Sequence, residues 1–460
     1  MIDGKVALTQ RPRAGAMGCQ PYPWQLIAKL MIAVGDRGHI ASAASMLLVC
    51  GIVWHLGAGL AHAADLGGDC CEDLEARVAE LEATTVGKGN RKVSVTLSGY
   101  YAQQLLGWDD GVEQNLYLSG MGPTQATNFR LNGQAQIAPG WATGYMMRVQ
   151  DLHVNPFQLN QIKDDSQDNL KVQFSYWYVN SQDYGKLAVG LNAQASKSAA
   201  MYTDQSGTQL MASDVLFDGA GFFLRSKGEL LPITWGQLGY CYSQSRPWGG
   251  DCNGIVMSGI RYDSPVYAGF MISASVSSDD VREAALRFNK EIAGFKIALG
   301  TGYSINPAER IQSPAVSVRK DSDFFQAGGY IEHLATGLFV HGDYGREDNN
   351  DVPIFSGLTE PNSHQWYVKT GIRKQWASFG HTVLYGEGGQ YLDQIGPAAL
   401  NFGITSSDFS YWGLGAVQEI DSAAMSVWLK YRKHQAAVTG GNLGNIDDID
   451  FVAVGSIINF

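Results

Sequence analysis

The chain has 460 residues, a formal net charge of -11, 45% hydrophobic but only 17% charged residues, 55 Gly and 14 Pro, with Cys sparse at six. The acidic balance and the lack of a basic stripe exclude a general nucleic-acid role. Beyond the N-terminal region no run of about 18 apolar residues occurs, which argues against a helical membrane protein and leaves a large soluble all-β protein or a membrane barrel.

In chain order, the first readable segment is the apolar run M-L-L-V-C-G-I-V-W-H-L-G-A-G-L at 46–60, followed by Ala61-His62-Ala63. An apolar core of that length ending in A-x-A is a secretory signal with cleavage expected after Ala63. Residues 1–63 are therefore leader and signal peptide. Residues 1–30 read as an over-extended start, with Met31 the alternative initiator and Arg37 its positive flank. Cleavage removes five basic and two acidic residues and takes the charge from -11 to -14.

Residues 64–91 form the next unit. Cys71, Leu74, Val78, Leu81 and Thr85 are spaced three, four, three, four with acidic flanks, a heptad seam of about two heptads that is too short to hold alone in water. A three-helix cluster between three copies and a single surface helix both fit. Leu66-Gly67-Gly68-Asp69-Cys70 lacks the small residue that lipidation needs before Cys. Cys70 and Cys71 are adjacent, so a local bond is strained, and both inter-subunit pairing and reduced thiols stay open.

From Lys92 onward alternation takes over. Val93, Val95, Leu97, Gly99 and Tyr101 share one face and Lys92, Ser94, Thr96, Ser98 and Tyr100 the other; Phe129 to Ile137 repeats the pattern against Asn128, Arg130, Asn132, Gln134 and Gln136. Short turns such as Ala138-Pro139-Gly140-Trp141 and 181–185 alternate with longer polar connections such as 150–170, 193–218 and 304–323. A transmembrane antiparallel β-barrel alternates in this way, with turns on one side and loops on the other. The count gives 16–18 strands over 92–460, with 18 if 219–226 is a strand and 277–280 an external link. Tyr101, Trp108, Trp141, Tyr176, Trp177, Tyr178, Tyr262, Tyr267, Tyr303, Tyr330 and Trp376, near strand ends, fit interfacial girdles.

Parity places Arg130, Arg148, Arg225, Arg261, Arg287, Lys369, Arg373, Lys430 and Arg432 on inward faces, with Phe129, Leu131, Leu224, Ile260, Leu286, Phe288, Val368, Ile372, Leu429 and Tyr431 toward lipid. A charge on the lipid face costs roughly 2–4 kcal/mol at mid-depth. Cys241 and Cys252 flank a hairpin tip in an oxidising compartment, and a disulfide there is the first reading against two free thiols. Acidic groups cluster at Asp109, Asp110 and Glu113, at Asp164, Asp165 and Asp168, at Glu347, Asp348 and Asp351, and at Asp447 and Asp448. They read as solvated loops, or as carboxylates bridged to lipopolysaccharide by divalent cations. No catalytic motif is present, His333, His341, His364 and His381 lack metal-ligand spacing, and no cofactor is expected.

The chain ends F-V-A-V-G-S-I-I-N-F, with Val452, Val454, Ser456, Ile458 and Phe460 on one strand face. Such an edge needs a closed barrel, which removes it.

The run 70–100 together with W-D-D-G-V-E-Q-N (108–115), I-A-P-G-W (137–141) and the terminal Phe460 resembles the alphaproteobacterial outer-membrane porins of the rhizobial type. The resemblance runs through essentially the whole mature chain. It implies a homotrimer in the lipid bilayer of the outer membrane that passes small hydrophilic solutes, and insertion by the barrel-assembly machinery, which reads Phe460. It also implies that the third external loop folds into the lumen. Here that is 193–218, with Asp204, Asp214 and Asp218 as the constriction acids opposite the basic wall. Such a pairing makes a transverse field, against the plainer reading that these charges only solvate a lumen. Passive diffusion is the leading function, a solute-specific channel the second, and a secreted all-β hydrolase the third.

Overall fold

The computed structural model describes residues 93–242, 246–254, 256–307, 321–349 and 361–460. The leader, the 64–91 heptad segment and its Cys70 and Cys71, and Asp351 lie outside the described residues. In chain order the strands are β1 (Ser94–Asp109), β2 (Gln114–Ser119), β3 (Asn128–Ala138), β4 (Trp141–His153), β5 (Gln167–Ser181), β6 (Gly185–Ala193), β7 (Phe223–Ser226), β8 (Glu229–Thr234), β9 (Val256–Asp263) and β10 (Phe270–Ser277). They continue as β11 (Arg282–Ile292), β12 (Phe295–Asn306), β13 (Ser322–His333), β14 (Leu338–Asn349), β15 (Ser363–Ala377), β16 (Gly380–Leu392), β17 (Ile404–Ile420), β18 (Met425–Gly440) and β19 (Ile449–Asn459).

Each strand pairs antiparallel with its neighbours, and the ring closes where β1 meets β19 from Tyr100↔Asn459 to Asp109↔Asp450. The wall has sixteen staves. β2 and β3 count as one, because both pair with β1, β2 along Gln104–Asp109 and β3 along Ser94–Tyr100. Sixteen is the lower end of the expected 16–18; the upper end fails because β7 and β8 form a separate two-stranded sheet and are not part of the wall. Their apolar alternation satisfies an internal hairpin as well as a stave. β6 hydrogen-bonds directly to β9, so the described residues between 194 and 254 leave and re-enter the wall at one place.

Alternation sorts the faces. Leu97, Tyr101 and Leu105 on β1, Ile260 on β9, Val368 on β15, and Val454, Ile458 and Phe460 at the C-terminus are exposed outward, while Ala102, Leu106, Phe451 and Ala453 are buried inward. Seven of the eleven girdle aromatics (Tyr101, Trp141, Trp177, Tyr262, Tyr267, Tyr303 and Trp376) are exposed. Trp108 and Tyr330 are instead buried, because each sits at the inward parity of its strand; Trp108 packs edge-on against Phe222 of the inserted segment. Tyr176 and Tyr178 share the face of Lys186, whose ammonium lies 5.2 and 4.5 Å from their rings.

Candidate functional site: the partly filled lumen

The inserted segment is built on its own buried cluster. Leu216, Ala220, Phe222, Leu224, Ile233, Trp235 and Leu238 pack against wall residues Leu106, Trp108, Tyr367, Tyr391, Phe409 and Phe451. Cys241 and Cys252 are disulfide-bonded, with Cα atoms 5.4 Å apart, beside Trp248 and Phe324. Glycines on the wall let the segment approach closely: a methyl at Gly328 would lie 2.7 Å from Ala200 Cα, inside van der Waals contact.

One side of the segment is tied to the wall by ion pairs. Asp204 contacts the Lys369 ammonium at 2.5 Å, and Lys369, 0% exposed, also donates to the Ala212 carbonyl at 2.8 Å. Asp218 contacts Lys430 at 2.5 Å and accepts from Gln104 Nε2 at 2.7 Å. Arg432 forks onto Glu387 at 2.9 and 2.8 Å and donates to the Ser213 carbonyl, and Arg373 holds Glu419 at 3.1 and 2.6 Å. Burial works to raise the Asp204 and Asp218 carboxyls, but Lys369 and Lys430 outweigh it and hold both below the ordinary range. Asp214 is different. Its carboxyl oxygens have no hydrogen-bond partner, and burial, reinforced by Asp251, pushes it up to about 8. Only its main-chain carbonyl is used, accepting from Tyr391 Oη at 2.5 Å.

The opposite side carries cations that meet tyrosines and carbonyls. Arg148 donates to the Tyr100 hydroxyl at 3.4 Å and the Thr124 carbonyl at 3.1 Å. Arg287 donates to Ser273 Oγ and to the Ala195 and Lys197 carbonyls. Arg261 alone is paired, with Asp263 at 2.8 Å. Among the described residues Arg130, Arg148 and Arg287 contact no carboxylate. Tyr202 of the segment, 53% exposed, lies within electrostatic range of Tyr100, Arg148 and Arg287. A cavity of about 450 Å³ at the β5–β6 turn is lined by Asn180, Lys186, Arg261, Asp263 and Met271.

The sequence-derived residues therefore fall into groups. Lys369, Lys430 and Arg432 lie beneath the segment, touching Asp204, Asp218 and Ser213 rather than facing them across open space. Arg130, Arg148, Arg261 and Arg287 stand on β3, β4, β9 and β11. Arg225 is a correction: it is on β7, off the wall, where its guanidinium binds Asp110 at 2.9 and 3.0 Å, and Leu224 is buried in the segment instead of facing lipid. Asp110 is accordingly not a solvated loop carboxylate. The inward segment also continues past 218 through the described residues up to 254. Missed in the sequence were Lys186, Glu387, Glu419 and Asp263, all readable from inward parity had acids and β6 been sorted like the arginines; Tyr202 carries no local signal.

A model of the Gram-negative porin family matches residues 43–454. None of the curated proteins matches the chain. Among solved structures, the outer membrane channel DcaP of Acinetobacter baumannii is similar at TM-score 0.50 and 10% identity, over 81% of this chain and 99% of that one. In-vitro folded OmpT of Vibrio cholerae is similar at 0.49 and 12%, over 82% and 99%. OmpF of Salmonella typhi in complex with daunomycin is similar at 0.46 and 14%, over 81% and 99%.

Proposed function

The chain belongs to the Gram-negative porin family, and on that premise we propose that residues 194–255 set the working aperture of an outer-membrane channel for passive diffusion of small hydrophilic solutes. Membership makes the protein a channel of the outer membrane and not an enzyme, so the secreted hydrolase falls away. The observation that carries the aperture reading is the pair of buried ion pairs, Asp204–Lys369 and Asp218–Lys430, which hold the segment against one side of the wall. The solute-specific reading leaned on eighteen strands and loses that support with sixteen staves.

Several finer readings belong to the same proposal. The rhizobial-type likeness of residues 70–115 supports a homotrimer and the heptad segment as its periplasmic cluster. The A-x-A pattern supports cleavage after Ala63. The exposed Phe460, whose N–H and carbonyl exchange hydrogen bonds with Gly99 at 3.1 and 2.9 Å, supports recognition by the barrel-assembly machinery. The external carboxylates Glu113, Asp164 and Asp165 are offered as contacts to lipopolysaccharide through divalent cations. The test is planar-bilayer recording of the purified protein: stepwise, ohmic openings are expected, and a bilayer that stays silent would refute the channel.

A further inference from the structure

The two sides of the lumen differ in how their charges are balanced. On the β15–β18 side each of four cations has a carboxylate of its own: Lys369 with Asp204, Lys430 with Asp218, Arg432 with Glu387 and Arg373 with Glu419. Those pairs are short, and beyond a few ångströms a close pair presents only a dipole. On the β3–β11 side Arg130, Arg148 and Arg287 form no direct ion pair among the described residues, although Arg287 lies within electrostatic range of Asp263 and Glu283, and Lys186 lies over tyrosine rings with no ion pair of its own. Asp204 and Asp218 of the inserted segment thus spend their charge on the far wall, and the charges beside the exposed Tyr202 are those of Arg148 and Arg287.

Resting on the channel reading, we propose that this porin is anion-selective and that its preferred solutes are small organic carboxylates. They travel a lane bounded by Arg130, Arg148, Arg287 and Tyr202 and ending in the Lys186–Arg261 cavity. A guanidinium matches a carboxylate in shape and charge, and Arg130 and Arg287 are the half-buried ones that face the lane, Arg148 being buried behind them. The cavity adds the Lys186 ammonium, and its Pro265, Val266 and Met271 side chains offer the apolar surface against which the flat part of such a solute lies. Its volume of about 450 Å³ suits a molecule of benzoate size with water. The two carboxylates beside this path are already engaged: Asp263 is bound by Arg261 and by Ser273 Oγ at 2.6 Å, and the buried Glu283 accepts from the N–H and Oγ of Ser196 at 2.9 and 2.7 Å.

The experiment uses the full-length protein in planar bilayers under a potassium chloride gradient. The zero-current potential should have the sign of chloride permeation. Arg130→Gln with Arg287→Gln should lower the chloride-to-potassium permeability ratio by about twofold per charge removed, the size expected of a partly screened unit charge at close range. Benzoate added to the bath should interrupt chloride current, Lys186→Gln should weaken that block severalfold, and benzylammonium should leave the current unaffected. Heat-modifiable gel mobility confirms that each variant is a folded barrel. Ohmic openings with potassium-selective reversal, or block by benzylammonium equal to that by benzoate, would overturn the inference while the channel stands. Absence of any openings would overturn the channel reading as well.

Discussion

At the scale of single residues, Asp204 and Lys369 show why a buried pair is costly to halve. Lys369 is 0% exposed, so Asp204→Asn strands an ammonium that has no access to water. Loss of one partner of a buried pair costs about 3–5 kcal/mol, whereas replacing both with apolar groups of similar volume is near neutral. We expect Asp204→Asn to lower the unfolding temperature of the folded barrel on gels and Asp204→Leu with Lys369→Met to restore most of it; an undiminished single variant would contradict the pairing. Asp214 supplies a pH test. Its carboxyl is raised to about 8 by burial and by Asp251, so the folded state favours the neutral acid. Its contribution is fully present below the unfolded carboxylate range near 4 and is lost as pH rises toward 8. Asp214→Asn should therefore flatten the decline in thermal stability between pH 5 and pH 9, and an unchanged slope would remove Asp214 as its source.

At the scale of elements, the hairpin β7–β8 packs in one buried cluster of the inserted segment and the disulfide packs with Val215, Phe217 and Trp248 in a second. The Cys241–Cys252 bond closes an 11-residue separation, and removing a bond of this class costs about 2–4 kcal/mol. Cys241→Ser with Cys252→Ser should increase protease nicking within 194–255 while leaving heat-modifiable mobility intact, because the wall strands do not depend on that bond. The seam between β1 and β19 predicts the reverse pattern. Deleting Phe460 removes the last hydrogen bonds to Gly99 and should lower the amount of protein reaching the outer membrane, with the surviving channels conducting normally; wild-type membrane levels would contradict it. The elements also show what a sequence can reveal. Face assignments on β1, β9, β15 and β19 were legible because alternation is local and a charge toward lipid is costly. Residues 223–234 misled because an internal hairpin alternates as a stave does, and nothing within it states which edge it pairs with.

At the scale of the whole molecule, a closed sheet forms sixteen staves, and among the described residues the long insertion between β6 and β9 packs against its inner face. The closure was readable from a C-terminal strand ending on Phe460 and a chain of alternating turns and loops. The docking of the inserted segment was not, since its anchors join residues 165 and 212 positions apart, Asp204 to Lys369 and Asp218 to Lys430, with no pattern linking them along the chain. Basic residues on inward faces were found, but their partners decide their role, and partners are a property of the folded wall. The most direct test of the account is single-channel conductance of the wild type beside Asp204→Asn with Asp218→Asn, which releases the segment from its wall. Discrete ohmic openings are expected in the wild type and larger or noisier ones in the variant. Openings of identical size and stability in both would contradict it.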